Sequence, residues 1–308
     1  MKKYIVIACL IITTVTYSQT QGKLLEQAYK KKSTELLNHF FINWHNEIPT
    51  ISNTEFSNLN DTLKQAYNVF TAFYKPCAID SVGGSEFGNK LYENVDYLIV
   101  QNETKIYITS DKLYYTDQEK YDFAVEYYHN WNNLKDSIKN IRLDYLKKIM
   151  ESDKFKNKGV EIEYMIGRRI PEKIKTTLID TLKKFRPEIN CEGKIPVYLN
   201  EEYRNLLNAF LGNTYLPFGT GGIMNPARSK GESLKRQKFL ENSIKIFFGH
   251  WGGYWQLLSY PQAYSVIFDK NMQYAKVEFR MVYQGGEAFL KNENGSWKMI
   301  FSRITWIE

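Results

Sequence analysis

The chain has 308 residues and carries 41 lysines and arginines against 34 aspartates and glutamates, a formal net charge of +7. Hydrophobic residues make up 43% and charged residues 24%, which is a globular composition and excludes a disordered or collagen-like chain. A chain of this length buries about three quarters of its unfolded surface, so it needs no metal or disulfide to fold and is expected to form about two domains.

Residues 1–18 have the three parts of a secretory signal peptide. Two lysines precede an apolar run, and a serine ends the segment before the expected cleavage bond. The run is too short to span a membrane, and no later stretch reaches the roughly 20 apolar residues of a membrane helix. The segment therefore predicts export to the periplasm or the extracellular space. A buried helix would show a polar face, and a lipid anchor at Cys9 is disfavoured because the apolar run continues past it.

Composition and motifs also limit the partners and cofactors. Basic residues lie in short runs that do not alternate with aromatic residues, unlike a nucleic-acid-binding groove. Histidines and cysteines show no metal-ligand spacing, and no phosphate-binding loop or nucleophile elbow occurs. The sequence thus predicts no nucleic-acid partner, no metal and no cofactor, and it leaves the oligomeric state open. Cys77 and Cys191 either pair in an oxidising compartment or stay as buried thiols.

Residues 19–190 are predicted to form a mainly helical α+β domain with a short hairpin. Hydrophobic spacing and β-propensity predict helices over 22–46, 60–74 and 171–185, a mainly helical region over 119–150, a hairpin of 95–101 and 105–109, and a β-like piece over 160–166. The segment 186–196 is rich in turn residues and marks the boundary to a second domain, 191–308.

The second domain changes from helical to strand periodicity along its length. Two helices, 201–211 and 232–248, flank a Gly-rich loop at 212–231. Period-two patterns then predict strands over 254–259, 263–269, 274–284, 287–291 and 296–308.

Turn residues and one irregularity define the pairing of those strands. The pairs at 285–286 and 294–295 predict hairpin turns. The apolar face of the last strand changes parity near residues 302–303, which predicts a bulge that curves the sheet; a strand buried on both faces is the alternative.

The last hairpin resembles a known family. Its strands read GGEAFL at 285–290 and NGSWKMI at 294–300, which is similar to the end of nuclear-transport-factor-2-like (NTF2-like, SnoaL-like) domains. The resemblance covers about residues 250–308, and the domain extends back to about 195. It implies a cone-shaped α+β fold in which helices pack on a curved antiparallel sheet. Members include isomerases, dehydratases, hydrolases and non-catalytic ligand-binding or assembly modules, and no catalytic residue of the family carries over.

The segment 250–255, HWGGYW, is the densest cluster of site-forming residues. Its glycines permit close backbone approach, and Trp251, Tyr254 and Trp255 offer flat apolar faces with polar tips. With Arg303 and Trp306, these residues are the predicted ligand-binding set. The alternative is a helix-to-strand corner whose aromatic side chains fill the core.

A catalytic arrangement is the second candidate. His250 with Asp269 or Glu278 would act as acid and base, and Arg280 or Arg303 would stabilise a developing anion. The alternative is a solvated sheet face that carries cross-strand ion pairs.

We therefore expect an exported, non-catalytic module that binds a small molecule, a peptide or a glycan through an aromatic and Gly-rich pocket. An isomerase, lyase or hydrolase of the NTF2-like class is one alternative, and a structural or assembly module is another.

Overall fold

The computed structural model describes residues 20–83, 85–155, 157–167, 174–212, 231–248 and 254–308. The predicted signal peptide, nearly all of the Gly-rich loop, His250 and Trp251 lie outside the described residues. Helices and a curved, mixed sheet of six strands confirm the predicted α+β class.

The described residues contain nine α-helices and two short 3-10 turns. The helices are α1 (20–31), α2 (Thr34–Glu47), α3 (Asn53–Ser57), α4 (Asp61–Phe73), α5 (Asp117–His129), α6 (Asp136–Glu151), α7 (Lys158–Met165), α8 (Glu201–Leu211) and α9 (Glu232–Leu240). The 3-10 turns are Ile79–Ser81 and Asn89–Tyr92.

Ten strands form three sheets in the described part of the chain. They are β1 (Tyr97–Gln101), β2 (Glu103–Thr109), β3 (Thr176–Lys183), β4 (Ile195–Leu199), β5 (Phe247–Phe248), β6 (Trp255–Gln256), β7 (Gln262–Asp269), β8 (Tyr274–Met281), β9 (Gln284–Glu293) and β10 (Ser296–Ile307). The large sheet has the order β10-β9-β8-β7-β2-β3. Strand β1 pairs in parallel with β4, and β5 pairs antiparallel with β6.

Internal contacts divide the chain into two compact units. Unit 1 comprises the described residues of Met1–Ile106, Leu178–Val266 and Lys276–Glu308, and unit 2 comprises those of Tyr107–Thr177 and Ile267–Ala275. The domain boundary that we predicted after residue 190 stays a prediction.

One hydrophobic cluster of unit 1 contains an aromatic stack. The hydroxyl of Ser33 caps α2 by accepting from the amide of Leu36 at 3.2 Å, which sets where the helix begins; its buried face carries Leu37, Phe40, Phe41 and Trp44. On that face Trp44 stacks on Tyr203 of α8, with ring centroids 4.2 Å apart and planes 2° apart. The indole N–H of Trp44 donates to the carbonyl of Tyr198 at 3.1 Å. This bond joins α2 to β4 and satisfies a buried donor.

Helix α4 packs on the last hairpin of the large sheet. Its cap, Asn60, accepts from the amide of Leu63 at 2.9 Å. The buried face of the helix carries Val69, Phe70 and Phe73, and Phe73 lies 5.4 Å from Phe279 of β8 between ring centroids. The helix contacts β9 and β10 and leaves its opposite face to form one wall of a cleft.

Unit 2 is organised by α5, α6 and α7. A capping box of Thr116 and Glu119 begins α5. The core shared by the three helices contains Ala124, Tyr128, Leu146, Ile149, Ile162 and Ile166. A buried ion pair lies beside it, with 2.7 Å between Lys120 Nζ and Glu163 Oε1.

Of three predictions for residues 19–110, two need correction. The helix over 22–46 is interrupted, because Lys32 has a φ of 52° and Ser33 caps a new helix. The helix over 60–74 is confirmed. The hairpin of 95–101 and 105–109 is wrong, because β1 pairs with β4 and β2 lies beside β7 and β3.

Two predictions between residues 158 and 185 are also wrong. Residues 160–165 lie in helix α7 and Ile166 is its C-cap, because Ile162 and Ile166, one helical turn apart, both pack in the unit 2 core. The predicted helix over 171–185 is strand β3 where the structure describes it, from Thr176 to Lys183.

The C-terminal strands follow the prediction with local differences. The helix over 232–248 ends at Leu240, and residues 285–286 lie inside β9, since the turn before it falls at Val282 with a φ of 56°. The turn at 294–295 is confirmed by left-handed backbone at both residues. The predicted bulge is present as two register shifts, between Met299 and Phe301 and between Ile304 and Trp306.

Candidate functional site

Unit 1 contains a cleft of about 530 Å³ between the end of α4, the segment before it and the tip of the β9–β10 hairpin. Its lining residues are Ile51, Asn53, Phe56, Tyr67, Asn68, Thr71, Ala72, Glu188, Gly295, Ser296 and Trp297. Three stretches that are distant in the sequence therefore meet at one concave surface.

Helix α4 and the turn before it supply the aromatic floor and part of the polar rim. Tyr67 is 5% exposed and meets Phe56 edge to face at 5.8 Å. One residue further along the helix, Asn68 is exposed, and so is Thr71 at the next helical turn. Burial raises the pKa of the Tyr67 hydroxyl, so this group stays protonated at neutral pH.

The hairpin tip forms the opposite wall. Asn294 and Gly295 have φ values of 55° and 87°, and the amide of Gly295 donates to Asn292 Oδ1 at 2.8 Å, which holds the tight turn. Trp297 is 6% exposed, and its indole N–H donates to Gln65 Oε1 at 2.6 Å. This bond ties the hairpin to α4 across the base of the cleft.

The third wall is residues 186–191, which we call the strap. At one end, Arg186 donates to the carbonyl of Pro49 at 3.0 Å and to Glu55 Oε1 at 2.8 Å, and its own carbonyl accepts from the amide of Ile51 at 3.0 Å. At the other end, Cys191 forms a disulfide with Cys77, which decides the question that the sequence left open. The strap is thus fixed on both sides of Glu188.

The charged groups near the cleft differ in whether their side chains line it. Among the described lining residues, Glu188 is the one with a charged side chain at neutral pH. The amide of Ser52 and the guanidinium of Arg186 together lower the pKa of Glu55 to about 2. Arg186 is therefore neutralised by Glu55 outside the lining, and the cleft offers neutral polar groups and one carboxylate to a ligand.

The predicted ligand-binding residues that the structure describes, Tyr254, Trp255, Arg303 and Trp306, lie elsewhere in unit 1. Trp255 is 6% exposed and packs edge to face on Phe248 at 5.0 Å, as a core residue does. Its indole N–H has no acceptor among the described residues. Tyr254 is half-buried, and burial raises its pKa. Trp251 and His250 lie outside the described residues.

Helix α4 covers one face of the large sheet. Arg303 and Trp306 lie on the opposite face. Arg303 makes an ion pair with Glu287 on β9, with 2.6 Å between Nη2 and Oε1. Trp306 is 41% exposed, and its ring centroid lies 5.9 Å from the guanidinium carbon of Arg280. Arg280 in turn pairs with Glu308 at 2.6 Å.

The predicted catalytic carboxylates are held in structural contacts. Glu278 pairs with Lys276 at 3.0 Å and accepts from the hydroxyl of Ser265 at 3.0 Å. Asp269, which belongs to unit 2, accepts from the amides of Gln273 and Tyr274 at 2.7 and 2.9 Å and closes the turn after β7. These contacts are those of a sheet face with ion pairs and a side-chain-capped turn.

Sequence reasoning did not select the cleft residues. The sequence predicts a helix over 60–74 and a turn at 294–295, but neither prediction indicates a site at Tyr67 or Gly295. Asn68, Thr71 and Glu188 carry no motif. Their one shared signal is that each is exposed beside buried aromatic residues, which only the folded chain reveals.

Comparison with known proteins gives no relative: no family model, no curated protein and no solved structure matches the chain. Within the described ranges, no helix is long and apolar enough to cross a membrane. The same residues contain no group of three or more histidine, cysteine, aspartate or glutamate side chains placed to hold a metal ion.

Proposed function

We propose that this chain is an exported binding protein that holds a small, uncharged polar ligand, such as a glycan unit or a short peptide segment, in the unit 1 cleft. The observation that carries the proposal is the lining, in which buried aromatic rings lie under a rim of amide, hydroxyl and carboxylate groups. Such a combination of apolar floor and few polar groups is typical of small-molecule sites.

The size of the cleft supports a small ligand. Small-molecule sites have volumes of roughly 300–1,000 Å³, and this cleft measures about 530 Å³. A ligand of one or two sugar rings, or of two or three residues, is of that order.

The charge of the lining indicates which ligands are favoured. Glu188 would repel phosphate, sulfate and carboxylate groups, and no lysine or arginine lines the described cleft to offset it. The Asn68 side chain both donates and accepts hydrogen bonds, which suits hydroxyl and amide groups. The Thr71 hydroxyl donates to the carbonyl of Glu188 at 3.5 Å and can accept a hydrogen bond from a ligand. We therefore expect uncharged ligands to bind more tightly than their anionic analogues.

The fixed strap also supports a binding role. Arg186 and the Cys77–Cys191 disulfide hold the strap before any ligand arrives. A wall that is already ordered loses little conformational entropy on binding, which favours affinity.

One sequence pattern and one structural feature support export. The first 18 residues have the pattern of a signal peptide, and the disulfide is of the kind that persists in oxidising compartments. The NTF2-like resemblance of residues 250–308 stays a prediction beside this proposal.

Calorimetric titration of the mature protein tests the function. The probes are neutral sugars (glucose, galactose and N-acetylglucosamine), their 6-phosphates and N-acetylated tripeptide amides. We expect at least one neutral probe to saturate and its anionic counterpart to bind about tenfold more weakly or not at all.

Variants then locate the site. Asn68→Leu and Thr71→Val should each weaken binding by about tenfold, since each removes hydrogen bonds to the ligand. Asn140→Leu is the matched control, because Asn140 is also an exposed helical asparagine but lies in unit 2. If no probe binds, or if Asn140→Leu loses as much affinity as the cleft variants, the proposal is contradicted.

A further inference from the structure

We propose a second binding site, in unit 2, where Phe123, Tyr127 and Trp131 together with Glu126 form an aromatic notch that binds a quaternary ammonium cation. The inference does not depend on the function proposed for the unit 1 cleft. It rests on a separate cleft of about 460 Å³, lined by Phe123, Glu126, Tyr127, Asn130 and Trp131.

Helical geometry places the three rings in one row. Phe123 and Tyr127 are four residues apart in α5, and residues at that spacing lie on the same face of a helix. Trp131 follows at the same spacing just past the helix end, where its amide donates to the carbonyl of Tyr128 at 3.4 Å. Glu126 and Asn130 repeat the spacing one position earlier, so a polar row runs beside the aromatic row.

The rings at the two ends of the notch are partly open to solvent. Phe123 and Trp131 are each 40% exposed, although unit 2 has its own core for apolar side chains. Trp131 is nevertheless anchored, since its ring stacks on that of Tyr128 at 6.3 Å with planes 17° apart. Tyr128 is itself 1% exposed, and its hydroxyl donates to the carbonyl of Met165 at 2.7 Å. The buried ring of Tyr128 thus holds the exposed indole of Trp131 in place.

Ring orientation favours a rounded ligand group over a flat one. The rings of Tyr127 and Trp131 lie 5.4 Å apart between centroids, and their planes are inclined by 54°. Two rings at this inclination cannot both lie flat on one sugar ring. Inclined walls instead contact a rounded trimethylammonium group from two sides, which is how aromatic cages bind such cations.

The charge of the lining agrees with a cation. Glu126 is the one charged side chain among the five lining residues, and its carboxylate complements a positive charge. The faces of tryptophan and tyrosine rings attract cations through their quadrupoles, and a methylated ammonium is desolvated more readily than a primary one. The charge of choline is opposite in sign to that of Glu126, and its rounded trimethylammonium group suits the inclined rings of Tyr127 and Trp131.

Calorimetric titration of the full mature protein with choline chloride, against a sodium chloride blank, tests the inference. The matched probe is 3,3-dimethylbutan-1-ol, which has the same shape but a carbon in place of the charged nitrogen. We expect choline to saturate and the neutral probe to bind at least about tenfold more weakly. Equal binding of the two probes, saturation by methyl glucoside instead, or no saturation by choline would overturn the inference.

Variants assign the binding to the notch. Trp131→Ala should abolish saturation, Trp131→Phe should retain part of it, and Glu126→Gln should weaken it several-fold, about as the loss of one facing charge implies. Tyr145→Ala is the control, because Tyr145 is 46% exposed elsewhere in unit 2. If circular dichroism shows that Trp131→Ala does not fold, Trp131→Phe and Glu126→Gln carry the test. Unchanged binding in both, or an equal loss in Tyr145→Ala, would place the cation elsewhere and refute the notch.

Discussion

The indole of Trp306 occupies the space that a side chain at Gly285 would need. The two residues are register partners on β10 and β9, and a Cβ atom built on Gly285 would lie 2.0 Å from Cε2 and Cζ2 of the indole. A glycine in mid-strand leaves a gap in the sheet surface, and a cross-strand aromatic ring that covers it restores the lost packing. The register shift between Ile304 and Trp306 brings the ring to this position.

Gly285→Ala should therefore destabilise unit 1 by about 1–2 kcal/mol, because the added methyl displaces the ring. Chemical denaturation measures this change. Gly285→Ala combined with Trp306→Ala should lose less than the two single losses added together. Gly22→Ala is the control, since nothing lies within 4 Å of its Cβ position in α1 and the stability there should hold or rise. Additive losses in the double variant would show that the ring does not fill this space.

The disulfide is expected to stabilise unit 1 substantially. Cys77 and Cys191 are 114 residues apart, and closing a loop of that length lowers the entropy of the unfolded chain. Replacing both residues by alanine should cost about 2–5 kcal/mol in unfolding free energy, measured by denaturant titration. Dithiothreitol should lower the stability of the parent protein and leave the double variant unchanged. A parent protein that is indifferent to the reductant would argue against this bond.

Stability should fall in acid partly through Glu55. Its folded pKa is about 2, below the value of about 4.3 for an unfolded glutamate. A depressed folded pKa gives stability that is fully present above the unfolded pKa and is lost as the pH falls toward the folded one. The loss attributable to Glu55 therefore lies between about pH 5 and pH 2, and Glu55→Gln should reduce it. Carboxyl NMR titration checks the cause directly, and a Glu55 pKa near 4 would remove it.

Replacing only one partner of the Lys120–Glu163 ion pair should lower the unfolding free energy of unit 2. Its side chains are 8% and 3% exposed, so removal of one partner strands a buried charge. Glu163→Leu or Lys120→Met alone should cost about 3–5 kcal/mol, whereas the double variant should recover much of that loss. A double-mutant cycle on unit 2 unfolding measures the coupling. Single losses below about 1 kcal/mol would mean that water reaches the pair.

Local patterns predicted elements well where packing agreed with them. Residues 119–150 are mainly helical as predicted, in α5 and α6 with a break at 130–135, and 201–211 is helical as its spacing predicts; the turn at 294–295 follows from its Asn-Gly pair. Residues 160–166 alternate like a strand, but Ile162 and Ile166 also satisfy helical spacing, and the core of unit 2 selects the helix. Here tertiary packing decides between two periods that one short segment permits.

Local sequence patterns could not predict the strand pairing or the cleft. The run 95–101 was correctly predicted to be a strand, but its partner is β4, about a hundred residues away, because no turn residue specifies a long-range pairing. The cleft likewise joins α4, the strap and the hairpin tip, each ordinary in sequence. The lining residues come together because Arg186, the disulfide and the indole of Trp297 hold those three segments in place.

Amide shift mapping of the tightest-binding neutral probe tests the central claim most directly. ¹H–¹⁵N spectra of the labelled mature protein would be recorded through the titration and assigned for the cleft and the large sheet. We predict that the largest shifts fall at Asn68, Thr71, Glu188 and Ser296, and that those at Thr71, Glu188 and Ser296 require about tenfold more probe in Asn68→Leu. Shifts concentrated around Tyr254 and Trp306 instead, with the cleft amides unmoved, would contradict the assignment of the site to the cleft.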